Sequence, residues 1–267
     1  MGNKYINGSV KIGDTEMYYV SFGSGKRKLV VLPGLSDGLS TVKGKAFMLS
    51  GPYKKYLRDY TVFMFSRKSI MPEGYSIKDM ADDQVFAMKE LGIERADLCG
   101  VSQGGMIAQC IAIYHPETIN KLVLAVTAPY ANDTAKCVVS GWLDMVKEDN
   151  YVKLMTDTAE KTYTKKYLDK YGKMYKIFIR FTKPKSYDRF IRNAEAILRF
   201  DVKEDLNKIS SPTLILAGDD DITVGNKAAY ELKDGIPGSE LYVYQGLGYG
   251  LFDEASDFYK RIFKFII

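Results

Sequence analysis

The chain has 267 residues, 46% of them hydrophobic and 27% charged, enough for one large core or a core with a small insert, and unlike disordered or fibrous chains. No apolar run approaches the ~20 residues of a membrane span, and the first residues show neither an apolar signal-peptide core nor a Ser/Thr at position 6 for myristoylation. The formal net charge of +5 is concentrated: between residues 147 and 192 stand 13 Lys/Arg against 6 Asp/Glu, interspersed as on solvated Lys-rich helices rather than blocked as in a nucleic-acid-binding patch.

In chain order, residues 4–22 read as an antiparallel hairpin turning at Gly13-Asp14. Apolar runs follow at 28–32, 61–65, 96–99 and 121–126, near-continuous as in parallel strands covered on both faces. Ile77, Met80, Ala81, Val85, Met88 and Leu91 keep helical spacing, with Ser76 as N-cap and Asp79 three residues on. A second helix is predicted from Gln103 to Tyr114. The alternation predicts an α/β, doubly wound, mostly parallel sheet. From 131 to 207 only amphipathic helical stretches occur, before strand runs at 213–217 and 240–244 and a last helix through Phe258, Ile262, Phe263 and Ile266. The division is a core of residues 1–130 and 208–267 and an inserted helical lid, or cap, of 131–207. Cys99, Cys110 and Cys137 lack metal-ligand spacing and are odd in number, so they read as buried small hydrophobes of a cytoplasmic protein, with no metal site.

Gly100-Val101-Ser102-Gln103-Gly104 matches G-x-S-x-G between a buried strand and a helix. Such a turn exposes a serine hydroxyl above the sheet, the flanking glycines let it close, and the helix N-terminus favours developing negative charge. With Leu32-Pro33-Gly34-Leu35 after the first core strand, and Tyr114-His115-Pro116-Glu117 leading into the next, the chain resembles the α/β-hydrolase superfamily over nearly its whole length. The resemblance implies Ser102 as nucleophile, the backbone N–H groups of Leu35 and Gln103 as oxyanion hole, and the helical insert as the family's cap. It also implies a small carboxylic ester or related acyl substrate. No cofactor, nucleic acid or membrane is expected.

Leu216-Ala217-Gly218-Asp219-Asp220-Asp221 resembles the family's acid loop, and spacing from Gly218 selects Asp221. After the last strand the family carries G-x-G-H with an acidic residue further on. Here Gly246-Leu247-Gly248-Tyr249-Gly250 is followed by Glu254, so Tyr249 occupies the base position. The chain's one histidine, His115, ends the helix that begins at the elbow, roughly 20 Å from Ser102 at 1.5 Å per residue. A phenol with a reference pKa near 10 is poorly matched to accept a serine proton, and its ring has no second nitrogen for Asp221 to orient. Activity is expected to be weak or absent; the alternative is a non-catalytic ligand-binding protein on the same scaffold. Two origins stand open: natural divergence, or replacement of a histidine at 249. Finally, Tyr163, Tyr167, Tyr171, Tyr175 and Phe178 recur at spacings of 4, 4, 4 and 3, which predicts one broad aromatic helix face. That face is either a roof over the pocket or the surface that docks the lid on the core.

Overall fold

The computed structural model describes residues 4–179 and 182–267; of residues 176–178 only the backbone is described. The strands are β1 (Tyr5–Ile12), β2 (Thr15–Gly23), β3 (Arg27–Leu32), β4 (Tyr60–Lys68), β5 (Ala96–Val101), β6 (Ile119–Ala125), β7 (Thr213–Gly218) and β8 (Glu240–Tyr244). The helices are α1 (Ala46–Leu49), α2 (Ile77–Glu90), α3 (Gln103–Tyr114), α4 (Asp133–Lys147), α5 (Tyr151–Thr162), α6 (Lys165–Ile179), α7 (Asp188–Leu198), α8 (Ala228–Gly235), α9 (Leu251–Glu254) and α10 (Phe258–Ile266).

The strands form an eight-stranded sheet in the order β1-β2-β4-β3-β5-β6-β7-β8. β2 pairs antiparallel with β1 and β4, and every pairing from β4 to β8 is parallel. Strand alternation divides the buried residues into two layers. Val30, Leu32 and Leu98 face the layer containing α2, α3 and α8, while Leu29, Val31 and Cys99 face α10 and the 3-10 turn Gly51–Tyr56. The hairpin turns at Gly13, whose φ of 56° is left-handed, and α2 starts with the expected reciprocal cap between Ser76 and Asp79.

Helices α4 to α7 lie between β6 and β7, and no strand occurs among the described residues of that segment. Its two ends are drawn together by an isolated antiparallel bridge from Tyr130 to Asp201. The following 3-10 turn Lys203–Lys208 packs on α3 and α8. One cysteine departs from expectation: Cys99 and Cys110 are buried but Cys137 is exposed. It stands on the outer side of α4, whose inner face is formed by Ala135, Val138, Val139 and Trp142. Among the described residues no helix is long and apolar enough to cross a membrane.

Candidate active site

Ser102 joins β5 to α3 with φ 54° and ψ −120°, a conformation that costs an L-residue about 1–3 kcal/mol and persists only where surroundings impose it. Its N–H donates to Ala125 O at 2.9 Å, while its carbonyl accepts from Gly105 N and from Thr127 Oγ1, both at 2.8 Å. The turn closes because residue 104 is glycine: a Cβ there would lie 1.9 Å from the carbonyl oxygen of Leu32. α3 therefore begins directly against the loop that leaves β3, and Ser102 and Gly34 become neighbours.

Leu35 opens a 3-10 turn, Leu35–Gly38, and Gln103 is the first residue of α3. Among the described residues, neither backbone N–H donates to another protein group. The loop is held by residues that the sequence reading passed over. Arg67, 1% exposed at the end of β4, donates from Nη2 to Pro33 O at 2.6 Å and to Gln103 Oε1 at 3.0 Å. Asp37 Oδ2 accepts the Arg67 N–H at 2.9 Å and Arg189 Nη2 at 2.8 Å. Gln103 Nε2 donates to Asn193 O on α7 at 3.0 Å. Burial lowers the Arg67 guanidinium to about 10, against the opposing pull of Asp37. The signal in the sequence was an arginine next to the end of a strand whose centre, Val62 to Phe65, is apolar, but nothing in its spacing named Pro33, Gln103 or Asp37 as partners.

Asp221 follows β7 and is 5% exposed. Its Oδ1 accepts Thr223 N at 2.8 Å and Val224 N at 2.9 Å, but its Oδ2 is buried with no hydrogen-bond partner. Burial raises its pKa, opposed by those two backbone bonds. The neighbouring Asp219 closes the turn toward β8 by accepting Gly246 N at 2.7 Å.

Tyr249 stands between these groups. Burial pushes its phenol well above the ordinary value; a side-chain hydrogen bond with Ser102 opposes this, and the Asp221 charge adds to it. Its Oη lies 3.4 Å from where a Cβ of residue 34 would be, and Ser102 Cβ lies 3.3 Å from the same point. A phenol is longer than an imidazole and carries its polar atom only at the tip, so its hydroxyl reaches Ser102 while the ring flank offers Asp221 no donor. That accounts for the unpartnered Oδ2. Ser102, Asp221 and Tyr249 are thus brought together with Leu35 and Gln103. His115 is not: it ends α3, with Nε2 2.8 Å from Asp82 Oδ1 on α2.

A cavity of about 390 Å³ opens beside this group, lined among others by Gly34, Leu35, Val101, Trp142, Phe190 and Tyr249. Among the described residues no lining residue is charged, and Ser102 is not among them: the Tyr249 ring stands on the cavity side. The aromatic stripe is split. α5 ends at Thr162, and α6 restarts with Thr164 Oγ1 accepting Tyr167 N at 3.3 Å. Tyr163 stacks on Tyr167 at 4.4 Å; of the stripe's described side chains Tyr163 and Tyr175 line the cavity, while Tyr171 is exposed. The side chain of Phe178 lies outside the described residues. The predicted face holds for the four tyrosines even though the helix breaks after Thr162: Tyr167, Tyr171 and Tyr175 stand on α6, Tyr163 stacks onto Tyr167 from the break, and all four line a second cavity. The break is anchored to the loop that follows Tyr249, where Gly250 N donates to Thr162 O at 2.6 Å and Thr164 N to Glu254 Oε1 at 3.0 Å.

Residues 63–255 match the family model described as alpha/beta hydrolase fold. Among curated proteins, the chain is 30% identical over 194 residues to AB hydrolase superfamily protein YisY of Bacillus subtilis, covering 69% of this chain and 71% of that one. It is 24% identical over 209 residues to 3-oxoadipate enol-lactonase 2 of Acinetobacter baylyi, covering 78% and 77%. Among solved structures, MGS-M2, an alpha/beta hydrolase enzyme from a Medee basin deep-sea metagenome library, superimposes with a TM-score of 0.87 at 20% identity over 97% of each chain. The enol-lactonase from Burkholderia xenovorans does so with a TM-score of 0.81 at 21% identity, over 97% of this chain and 99% of that one. At these identities the structural matches speak for the fold.

Proposed function

Because the chain belongs to the α/β-hydrolase fold family, we propose that it is a cytoplasmic serine hydrolase of small carboxylic esters or related acyl compounds, built on Ser102 beneath a cap of residues 131–207 and slowed by Tyr249 at the base position. The observation that carries this reading is the strained elbow of Ser102 beside Asp221, whose outward oxygen lacks the donor a histidine would supply. In this reading the substrate carbonyl carbon takes the Ser102 oxygen, and the resulting oxyanion is held by the N–H groups of Leu35 and Gln103. What is missing is a group to accept the serine proton and pass it to the leaving oxygen. Tyr249 serves poorly, since its pKa is raised and general bases work best near the operating pH. Loss of one triad member leaves only ~10³–10⁴-fold acceleration over water from the oxyanion hole and binding.

The uncharged cavity lining supports an ester or lactone without a required anionic group. The enol-lactonase name of one relative fits an ester bond at this site. A second reading, a ligand-binding protein without turnover, is favoured by Tyr249 standing between Ser102 and the cavity. A fluorophosphonate probe separates the two. Labelling of Ser102 in the chain as it is, faster in Tyr249→His, supports the hydrolase. Failure to label either form supports the binding protein.

A further inference from the structure

The cavity does not stop at the cap. Its lining continues past Gly34 and Tyr249 to Leu29, Val31, Met64 and Cys99. These residues belong to the sheet face that packs on α10, not the face that packs on α3. Its far wall is made by Tyr53, Phe258 and Ile262. Two compartments therefore meet at the Gly34-Leu35 loop and Tyr249: one beneath α4, α5 and α7 at Trp142, Met155 and Phe190, and one beneath the sheet. From Pro33 down β3 to Leu29 is four residues, a depth of roughly 13 Å at 3.3 Å per residue.

We infer that the compartment beneath the sheet is a pocket for an unbranched alkyl chain of the substrate, with the ester carbon held at the junction beside Leu35 and Tyr249. Its walls are aliphatic, aromatic and thiol groups without a charge. Burial raises the Cys99 thiol to about 12, so it remains neutral at physiological pH. An extended chain advances about 1.2 Å per bond, by the reach of the extended polypeptide, so this depth takes on the order of ten methylenes. Each buried methylene contributes about 0.8 kcal/mol, so ligand affinity should climb with chain length until the pocket is full.

The inference rests on Ser102 as the reacting centre for the chain's direction, yet binding alone tests it. Trp142 is the only tryptophan and lines the compartment beneath the cap. In the unaltered chain, 2-bromodecanoate and 10-bromodecanoate should bind with similar affinity, measured by calorimetry, and butyrate at least 10-fold more weakly. Heavy-atom quenching of Trp142 should be strong with the 2-bromo acid and several-fold weaker with the 10-bromo acid, whose bromine lies under the sheet. Stronger quenching by the 10-bromo acid would place the chain under the cap and overturn the inference, as would no gain in affinity from butyrate to decanoate. Cys99→Phe, which fills the pocket, should remove the advantage of decanoate over butyrate. Comparing nitrophenyl decanoate with decyl acetate in Tyr249→His tells whether the alkyl chain belongs to the acyl or the alcohol half. If decanoate binds as expected while no variant hydrolyses either ester, the pocket stands and the hydrolase reading falls.

Discussion

Arg189 on α7 grips Asp37 twice: Nη2 meets Asp37 Oδ2 at 2.8 Å and Nη1 donates to Asp37 O at 2.6 Å. The carboxylate is 1% exposed, so this is a desolvated pair linking the helical insert to the turn that carries Leu35. Removing one partner of a buried pair typically costs about 3–5 kcal/mol, because the other charge is left uncompensated. Arg189→Leu should therefore lower the melting temperature by roughly 10 °C, at 2–4 °C per kcal/mol for a chain near this size. It should also slow fluorophosphonate labelling of Ser102, because the Leu35 turn loses its anchor. A change in melting temperature with unchanged labelling would show that α7 does not position the loop.

Tyr249→His should raise hydrolysis of a short-chain nitrophenyl ester by ~10³-fold or more, the scale of regaining a triad member. The imidazole would take the Ser102 proton on one nitrogen and donate through the other to Asp221 Oδ2, the oxygen that has no partner. Ser102→Ala in the same background should abolish the gain, since nucleophile and base act as one unit. Strong esterase activity in the unaltered chain would instead mean that the base lies elsewhere.

Asp221 makes a prediction about pH. Its folded pKa is raised by burial, so the folded chain holds this proton more tightly than the unfolded chain. The associated stability is present below the unfolded value of about 4 and is lost as pH rises through the folded pKa. Asp221→Asn keeps an oxygen for Thr223 N and Val224 N and replaces the orphan carboxylate oxygen with a neutral amide. Relief of a buried unpaired charged group is worth about 1–3 kcal/mol. The melting temperature of the variant should exceed that of the unaltered chain at pH 7, and the difference should shrink toward pH 4. An equal difference at both pH values would show that Asp221 does not titrate as described.

Two glycines should respond in opposite senses. Gly104→Ala pushes a methyl to 1.9 Å from Leu32 O, where both partners are backbone. Overpacking costs about 1–3 kcal/mol even where side chains can yield, so loss of the folded state or a fall of at least that size is expected by denaturant unfolding. Gly141→Ala in α4 meets nothing within 4 Å and should stabilise by about 0.5–1 kcal/mol through helix propensity and a less free unfolded chain.

What the sequence by itself determined was local. Apolar runs placed β3 to β7 because a strand buried on both faces leaves an unbroken hydrophobic signature, while β8, at the sheet edge, alternates exposed and covered residues. G-x-S-x-G located the strained serine because only small flanking residues let that turn close. The single histidine and its place on α3 excluded it as base by helix rise alone. The five-ring stripe passed for one helix because spacing does not register the break after Thr162, which Glu254 fixes from 90 residues away. Cys137 is exposed because it falls on the face of α4 opposite Ala135, Val138, Val139 and Trp142. The tertiary structure alone decided the strand order, the joining of Asp37 to Arg189 across 152 positions, and the continuation of the cavity to the α10 face of the sheet. It also decided that Tyr249 reaches Ser102 and leaves Asp221 Oδ2 unpartnered. Periodicity records which face of an element is buried. It does not record which element buries it, or how far a side chain reaches once it is there.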